Sequence, residues 1–324
     1  SGATSSSFTP PVDEVGTTDY TCVVTQSGAN CSSETAGASI EVLAAPQFSS
    51  QPVSQTLCQG AVPDLLSATY ASGVGSPSFQ WHSSATGSWT DAVPLQAEST
   101  QEFLPSTALS GLVHYGLSVD FDEGGCAQIL SEFAPIYING LDAGVLSDDQ
   151  EICAESAPSL VEFDLQSAGE GALSYQWEYA FGEGGTWSVD PSQTSEVWQG
   201  EVLDNTLLVR SVVSSTLNGV VCVDTTASLE VFVHPLPAVL ALPDQAICNG
   251  EEVQWSLESD ISSAFEWSVV QNPNVVGYED SLQQGGFIAQ TLTNMGSEIE
   301  ELLYVAAAIS DGFGCQGHPT EFSV

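Results

Sequence analysis

Apolar and polar residues alternate along much of the chain with a period of two. At residues 114–121 the sequence HYGLSVDF places Tyr, Leu, Val and Phe on one side and His, Gly, Ser and Asp on the other. Such alternation is typical of a strand that is buried on one face. Glycine-rich segments such as FGEGGTW at residues 181–187 separate the strands, and no segment shows a helical period. The pattern predicts an all-β protein.

The cysteines reveal a repeat of about 95 residues. An early series, Cys58, Cys153 and Cys248, recurs at intervals of 95 residues. A late series recurs at intervals of 95, 96 and 93 residues, at Cys31, Cys126, Cys222 and Cys315. A fixed period indicates tandem copies of one structural unit. It predicts the C-terminal part of one repeat followed by three complete repeats, at residues 1–46, 47–139, 140–237 and 238–324.

Tryptophan occurs at a similar depth in each complete repeat. Trp81, Trp177 and Trp267 follow the early cysteines by 23, 24 and 19 residues, in the motifs SFQW, SYQW and AFEW. An early cysteine, a central tryptophan and a late cysteine are typical of an immunoglobulin-like β-sandwich. We therefore expect tandem sandwiches of this kind with the three tryptophans in their cores.

Tyrosine supplies a second marker of the repeat. Tyr20, Tyr115 and Tyr304 each stand 11 residues before a late cysteine, whereas the third repeat has Ser211 at this position. We expect the three tyrosines in the cores as well. The segment YTC at residues 20–22 has the tyrosine-corner spacing of antibody domains, but the late cysteine lies further along. A variant of the antibody sandwich is therefore predicted.

The constant distance between early and late cysteines predicts one disulfide in each complete repeat. The two cysteines are 68, 69 and 67 residues apart, and bridging a loop of this size stabilises a fold by about 4 kcal/mol on the chain-entropy model. Metal sites use short C-x-x-C pairs, which do not occur in the sequence. Disulfides indicate an oxidising compartment. The predicted pairs are Cys58–Cys126, Cys153–Cys222 and Cys248–Cys315.

The pairing of the two cysteines in the partial repeat stays open. Cys22 and Cys31 are nine residues apart across a predicted hairpin. A local Cys22–Cys31 bridge is one prediction. Pairing of each with a cysteine upstream of residue 1 is the alternative.

Basic side chains are almost absent. The chain has 42 Asp and Glu, one arginine, Arg210, and no lysine, which gives a net charge of −41. Nucleic acids and anionic lipids are bound through Lys and Arg, so neither is an expected partner. No apolar stretch approaches the roughly 20 residues of a membrane span, and direct membrane insertion is not expected. A surface with one trypsin site favours an extracellular location, among proteases.

The sequence offers no catalytic constellation, and the chain is predicted not to be an enzyme. Without lysine, Schiff-base and P-loop chemistry are excluded, and no G-x-S-x-G nucleophile elbow occurs. The histidines stand singly and are expected at the surface or between repeats: His82, His114, His234 and His318.

Acidic clusters are the remaining candidates for a ligand site. Calcium takes several converging oxygen ligands, and the segments DFDEGG and SDDQE supply neighbouring carboxylates. The weak calcium candidates are Asp120, Asp122, Glu123, Asp148, Asp149 and Glu151. A further cluster, EIEE, lies at residues 298–301. Solvated surface is the alternative interpretation, and no other cofactor is predicted.

Longer segments resemble one family of repeats. The segments are GATSSSFTPPVDEVGTTDYTCVVTQSGANCSS, YQWEYAFGEGGTWSV and VFVHPLPAVLALPDQAICNGEEV. They are similar to the Ig-like and PKD-like repeats of very large secreted surface proteins of Bacteroidota, many of them exported by the type IX system and including gliding-motility-associated adhesins. The resemblance covers the whole chain. It implies a structural or adhesive rod module at the cell surface, for attachment or for a filament.

The expected partners are neighbouring repeats of the same chain, further copies of it, and cell-surface glycans. Self-association must overcome the charge of −41 and is expected to weaken at low salt. The alternative function is a carbohydrate-binding module of a secreted multidomain enzyme. In that case exposed tryptophans would bind the sugar, and the candidates for exposure are Trp89, Trp187 and Trp198.

Overall fold

A computed structural model describes residues 2–122, 128–182 and 184–324. Strands make up 48% of the chain, and the described residues contain no helix. The all-β prediction is therefore confirmed. Within the described part there is also no helix long and apolar enough to cross a membrane.

The chain divides into two compact units, which are described separately. The first consists of Ser1–Leu141, Gly169–Leu173 and Ser214–Cys222. The second consists of Asp142–Ala168, Ser174–Val213 and Val223–Val324. This boundary passes through the third predicted repeat. The division into four repeats stays a prediction, and the repeats are named here by their predicted ranges.

The partial repeat forms two antiparallel ladders. Its strands are β1 (Gly16–Tyr20), β2 (Val23–Gln26), β3 (Cys31–Glu34) and β4 (Ala38–Val42). β1 pairs with β4, and β2 pairs with β3. In the described part of the chain no facing sheet buries these ladders, so Tyr20 is partly exposed and packs on Phe8, with 5.3 Å between ring centroids. The expected core position is therefore wrong for Tyr20.

The second repeat contains one main sheet and two smaller ladders. Its strands are β5 (Gln47–Ser50), β6 (Gln55–Cys58), β7 (Leu66–Ser67), β8 (Thr69–Ala71), β9 (Pro77–Ser84), β10 (Val93–Pro94), β11 (Glu102–Phe103), β12 (Gly111–Phe121), β13 (Ile129–Leu130) and β14 (Ala134–Asn139). The main sheet has the order β10-β9-β12-β14-β6, with β13 on β12. β5 pairs with β8, and β7 pairs with β11.

The core of the second repeat lies against the main sheet. Trp81 and Leu117 are completely buried there, and Tyr115 is 8% exposed. The indole nitrogen of Trp81 donates to the carbonyl oxygen of Thr100 at 3.0 Å. This bond satisfies the one polar atom that burial of the tryptophan removes from water.

The third repeat repeats this plan. Its strands are β15 (Leu141–Asp142), β16 (Val145–Leu146), β17 (Gln150–Cys153), β18 (Phe163–Leu165), β19 (Ala168–Gly169), β20 (Ala172–Phe181), β21 (Ser188–Val189), β22 (Leu207–Leu217), β23 (Val220–Thr225) and β24 (Leu229–His234). The main sheet has the order β17-β24-β22-β20-β21, with β23 on β22. Trp177 is completely buried, and its indole nitrogen donates to the carbonyl oxygen of Ser195 at 2.9 Å.

The fourth repeat has a four-stranded main sheet. Its strands are β25 (Glu252–Ser256), β26 (Ser263–Val269), β27 (Val275–Val276), β28 (Gln283–Gln284), β29 (Phe287–Thr291), β30 (Thr293–Asn294), β31 (Leu303–Ser310) and β32 (Thr320–Ser323). The sheet order is β28-β26-β31-β32, and β25 pairs with β29. Trp267 and Tyr304 lie in the core, where the Tyr304 hydroxyl donates to Gln290 Oε1 at 2.6 Å. Burial raises the pKa of Tyr304.

A glutamine marks the same place in each complete repeat. Gln55 donates to the carbonyl of Asp64 and accepts from its N–H, both at 2.9 Å. Gln150 and Gln245 lie 95 and 190 residues further along, and each donates to a carbonyl nine residues ahead of it. The complete repeats therefore share one local structure, and the prediction of tandem β-sandwiches is confirmed.

Candidate functional site

The early cysteine lies at one end of the main sheet in the second repeat. Cys58 is the last residue of β6 and lies opposite Asn139 in β14. The preceding residue of β14, Ile138, lies opposite Gly111, the first residue of β12. β12 then runs to Phe121, which at the usual strand rise is about 33 Å away. We call the end with the early cysteine the base and the opposite end the tip. The two segments that flank Cys126 in the sequence lie at the tip, because β13 pairs with β12 there.

The other complete repeats have the same polarity. In the third repeat Cys153 lies opposite His234 at the base, whereas β22 ends at Leu217 and is followed by the turn to Cys222 at the tip. In the fourth repeat the backbone N–H of Ser310, the last residue of β31, donates to the carbonyl oxygen of Cys315 at 2.9 Å. The late cysteines Cys222 and Cys315 therefore lie at the tip hairpins.

Two disulfides join the base of one repeat to the tip of the next. Cys58 bonds Cys222, with Cα atoms 5.6 Å apart and 164 residues between them in sequence. Cys153 bonds Cys315, with Cα atoms 5.5 Å apart and a separation of 162 residues. Both Cα distances are usual for a disulfide. Each bridge lies within one compact unit, the first in the N-terminal unit and the second in the C-terminal unit.

The predicted pairing within repeats is wrong. The pairs that the structure contradicts are Cys58–Cys126, Cys153–Cys222 and Cys248–Cys315. The physical reason is distance, because base and tip of one sheet are separated by most of a strand, whereas a disulfide spans about 5.5 to 6 Å between Cα atoms. Cys126 itself lies outside the described residues.

The predicted Cys22–Cys31 bridge is also wrong. In the β2–β3 hairpin Gln26 lies opposite Cys31, and the N–H of Thr35 donates to the carbonyl of Cys22 at 2.9 Å. The two cysteines are thus at opposite ends of the hairpin, separated by about 13 Å along the strands. Both thiols are free and exposed.

A buried polar pair accompanies the first bridge. The side-chain amide of Asn139, in the second repeat, donates to the carbonyl oxygen of Ser215 in the third at 2.8 Å, and the Ser215 hydroxyl donates to Asn139 Oδ1 at 2.7 Å. The same hydroxyl accepts the N–H of Gly171 at 3.0 Å. Asn139 is 1% exposed and Ser215 is completely buried. These hydrogen bonds therefore fix the position of the tip of the third repeat on the base of the second.

Removal of the Asn139 side chain is expected to weaken this junction. Asn139→Ala leaves the Ser215 carbonyl without this donor and the Ser215 hydroxyl proton without an acceptor, which costs about 1 to 3 kcal/mol. The loss is measured by guanidinium unfolding. Asn218→Gly is the matched control, because it removes only an exposed 3.3 Å contact with Thr56 at the same junction and keeps the left-handed backbone. An equal loss in both variants contradicts the role given to Asn139.

Histidines lie at the second junction. The ring of His234 stacks on Phe313, with centroids 4.4 Å apart and planes 10° apart, and its Nε2 lies 2.8 Å from Glu151 Oε2. His318 Nε2 lies 2.9 Å from Glu155 Oε1. The His234–Phe313 and His318–Glu155 contacts join the third repeat to the fourth at the Cys153–Cys315 bridge, and the His234–Glu151 contact holds the histidine within the third repeat.

The other two histidines belong to the second repeat itself. His82 contacts Ser118 Oγ at 3.1 Å and packs edge-on against Trp89, and burial lowers its pKa. His114 lies in β12 and contacts the turn glycine Gly87. Both are part of the packing within a sandwich rather than between repeats.

Arg210, the one basic residue apart from histidine, is held in the middle of β22. Its guanidinium forms an ion pair with Glu178 at 2.7 Å and lies 4.0 Å above the ring of Trp187. The arginine side chain is 29% exposed. Its position in a paired central strand keeps the adjacent peptide bond inside the sheet.

The native chain is therefore expected to resist trypsin. A protease needs an extended, unpaired segment, so cleavage after Arg210 requires unfolding of the sheet. Incubation of native protein should leave one intact band, and reduced, denatured protein should give two fragments. Asp280→Arg, in an exposed loop, is the positive control for an accessible site. Rapid cleavage of the native parent at Arg210 contradicts this placement.

The three tryptophans that are candidates for exposure under the alternative function are covered to different degrees. Trp198 is 4% exposed and is therefore not available at the surface, and its backbone pairs with Val161 in both directions. Trp89 is half-buried, and its indole nitrogen donates to the carbonyl of Ser131 at 2.9 Å. Trp187 lies under Arg210.

The described acidic residues proposed for calcium do not converge. Asp120 accepts the side-chain amide of Gln128 at 2.9 Å, and Asp122 accepts the N–H of Ser76 at 2.6 Å. In the second cluster Asp149 accepts the N–H of Glu230, and Glu151 contacts His234. Asp148 is exposed. Glu123 lies outside the described residues. Among the described residues no three His, Cys, Asp or Glu side chains are placed to hold a metal, and calcium binding stays a prediction.

Sequence reasoning missed the residues that complete the junctions. Asn139, Ser215 and Phe313 belong to strands and turns with no motif around them. The available signal was the cysteine spacing, because an early cysteine and the late cysteine of the next repeat are separated by 164 or 162 residues. That distance is as constant as the spacing within a repeat, so the sequence alone does not choose between the two pairings.

Comparison with protein families identifies one segment. Residues 245–324 match the PKD-like domain family. A comparison with curated proteins finds no similar sequence.

Solved structures that are similar to this chain are distant in sequence. An I-band fragment I67–I69 from titin is 10% identical, covers 86% of this chain and 98% of that one, and has a TM-score of 0.46. Mouse cadherin-23 EC22–24 is 14% identical, covers 86% and 98%, and has a TM-score of 0.36. Sidekick-1 immunoglobulin domains 1–5 are 12% identical, cover 93% and 64%, and have a TM-score of 0.34.

Proposed function

We propose that the chain is a structural and adhesive rod module of an extracellular surface protein. The observation that carries the proposal is the pair of disulfides between neighbouring repeats, Cys58–Cys222 and Cys153–Cys315. A bridge within a sandwich strengthens that sandwich alone. A bridge from base to tip limits how far one repeat rotates or separates from the next, which is useful where a tandem array transmits tension.

Several properties support an extracellular place for this module. Disulfides persist in oxidising compartments. The one arginine is held in a sheet, so trypsin-like proteases have no ready cleavage point. The PKD-like match at residues 245–324 supports a module of a multidomain surface protein, without catalytic function. The sequence resemblance supports a more specific proposal, a giant adhesin or filament protein of Bacteroidota exported by the type IX system.

The partners proposed for the module are neighbouring repeats and further copies of the chain. With a net charge of −41, contacts between copies must be apolar or hydrogen-bonded, and they should strengthen with salt, since the Debye length falls to about 8 Å at physiological ionic strength. Sugar binding by tryptophan platforms is not favoured, because Trp198 is buried and Trp187 is covered by Arg210.

Small-angle X-ray scattering tests the mechanical role. The bridged chain is expected to give one narrow distribution of interatomic distances. A variant in which all four bridged cysteines are serine should give a broader distribution, because the junctions then bend freely. Cys22→Ser, at a free and exposed thiol, is the matched control. Indistinguishable profiles for the bridged and unbridged chains contradict a role of the disulfides in fixing the junctions.

A further inference from the structure

Cys248, the early cysteine of the fourth repeat, has the same local backbone structure as the bridged Cys58, but its thiol is free. The carbonyl of Cys248 accepts the N–H of Glu251 at 3.0 Å, as the carbonyl of Cys58 accepts the N–H of Ala61 at 3.0 Å. A glycine with positive φ lies two residues after each cysteine, Gly250 at 85° and Gly60 at 77°. Cys248 is therefore held in the same turn as its bridged counterpart, and its side chain is exposed.

An open groove of about 540 Å³ lies beside this thiol. Apolar residues line much of it, among them Ile247, Leu302 and Ile299, and Ile299 is completely exposed. The groove is at the base of the fourth repeat, because Leu302 directly precedes β31 at the end remote from Cys315. In the second and third repeats the corresponding base receives a tip hairpin with a late cysteine.

The chain also carries a free late cysteine on a tip hairpin. Cys31 begins β3 just after the turn of the β2–β3 hairpin, and its thiol is free and exposed. No charged residue occurs between Asp19 and Glu34. The bridged hairpin of the third repeat is likewise uncharged between Arg210 and Asp224. An uncharged hairpin approaches an acidic surface without like-charge repulsion.

We propose that the base groove of one copy accepts the β2–β3 hairpin of a second copy, with a disulfide between Cys248 of the first copy and Cys31 of the second. The contact continues the base-to-tip arrangement of the two bridges within the chain, and this proposal rests on the proposed function. Because donor and acceptor surfaces differ, the interface is heterologous and joins successive copies head to tail.

The bridge forms by thiol–disulfide exchange with a low-molecular-weight disulfide such as oxidised glutathione. The Cys248 thiolate attacks the glutathione disulfide and releases one glutathione thiolate, which leaves a mixed disulfide. The Cys31 thiolate then attacks the Cys248 sulfur and releases the second glutathione. Two protein thiols are thus oxidised and one glutathione disulfide is reduced.

The test uses the full chain with Cys22→Ser and Cys126→Ser, so that Cys31 and Cys248 are the thiols left outside the two bridges. In a glutathione redox buffer at 0.15 M and 1 M NaCl, non-reducing electrophoresis should show a ladder of covalent oligomers that is stronger at high salt. Cys31→Ser and Cys248→Ser should each abolish the ladder. An equimolar mixture of these two variants should give a dimer that does not extend, because it has one free thiol of each kind to join.

Several results overturn the proposal. They are a parent that stays monomeric, a Cys248–glutathione adduct as the sole product, and a Cys31→Ser variant that dimerises by itself through two copies of Cys248. Peptide mapping of the same samples separates this failure from failure of the proposed function. If Cys58–Cys222 and Cys153–Cys315 are present while the ladder is missing, the module stands and the assembly fails. If the internal bridges are themselves missing, the proposed function fails.

Discussion

Pulled between its two termini, the oxidised chain is expected to extend to less than half the length of the reduced chain. Three covalent segments of 95, 69 and 93 residues connect the two bridged cysteine pairs, and the shortest becomes taut first. The load then passes through residues 1–58, the shortest segment and residues 315–324, which together are about 136 residues. At 3.6 Å per residue this gives about 490 Å, against about 1,170 Å for 324 reduced residues.

Single-molecule force spectroscopy with terminal handles measures these lengths directly. The double variant C58S/C222S keeps one bridge, Cys153–Cys315, and should extend to about 580 Å at the same length per residue. If bridges lay within repeats, this variant would lose two of three and would extend to about 930 Å. The longer value, or equal lengths for the oxidised and reduced parent, contradicts bridges between repeats.

Removal of the second bridge is expected to destabilise the C-terminal unit strongly. The Cys153–Cys315 bridge closes a loop of 162 residues, for which the chain-entropy model gives about 5 kcal/mol. The stacked His234 and Phe313 rings hold the same junction by non-covalent contact. We expect C153S/C315S to lower the midpoint of guanidinium unfolding, and to separate the transitions of the third and fourth repeats where the parent unfolds in one step.

The control for that experiment uses cysteines outside the bridges. C22S/C248S replaces two exposed, free thiols and should leave the unfolding midpoint of the monomer unchanged. Reduced parent protein should have the same unfolding midpoint as the variant in which all four bridged cysteines are serine. A C153S/C315S variant as stable as C22S/C248S shows that the bridge adds nothing to the junction.

The sandwich cores are predictable from sequence because local patterns determine them. Alternation in residues 114–121 correctly predicts a strand with Leu117 and Val119 in the core, although Tyr115 to Val119 are buried on both faces because Trp89 and Phe133 lie against Gly116. Trp81 and Trp177 recur at one depth because each copy of the fold needs the same large residue there. Both are completely buried. Tyr20 carries the same marker but is partly exposed, because burial depends on a facing sheet that the pattern around a residue does not reveal.

The junctions are less predictable because they depend on which end of a sheet each cysteine reaches. Cys58 and Cys126 belong to one repeat, yet strand pairing places Cys58 at the base and the segments that flank Cys126 in the sequence at the tip. Base-to-tip pairing follows only once this polarity is known. Asn139 and Ser215 form their buried pair across two repeats, so the local sequence around either residue does not predict the contact.

Disulfides join the second repeat to the third and the third repeat to the fourth. Peptide mapping under non-reducing conditions reads this pairing directly: the oxidised chain is digested with pepsin at acidic pH, where thiol–disulfide exchange is slow, and linked peptides are sequenced by mass spectrometry. We expect linked peptides that contain Cys58 with Cys222 and Cys153 with Cys315. Linked peptides that contain Cys58 with Cys126 and Cys153 with Cys222 contradict this pairing.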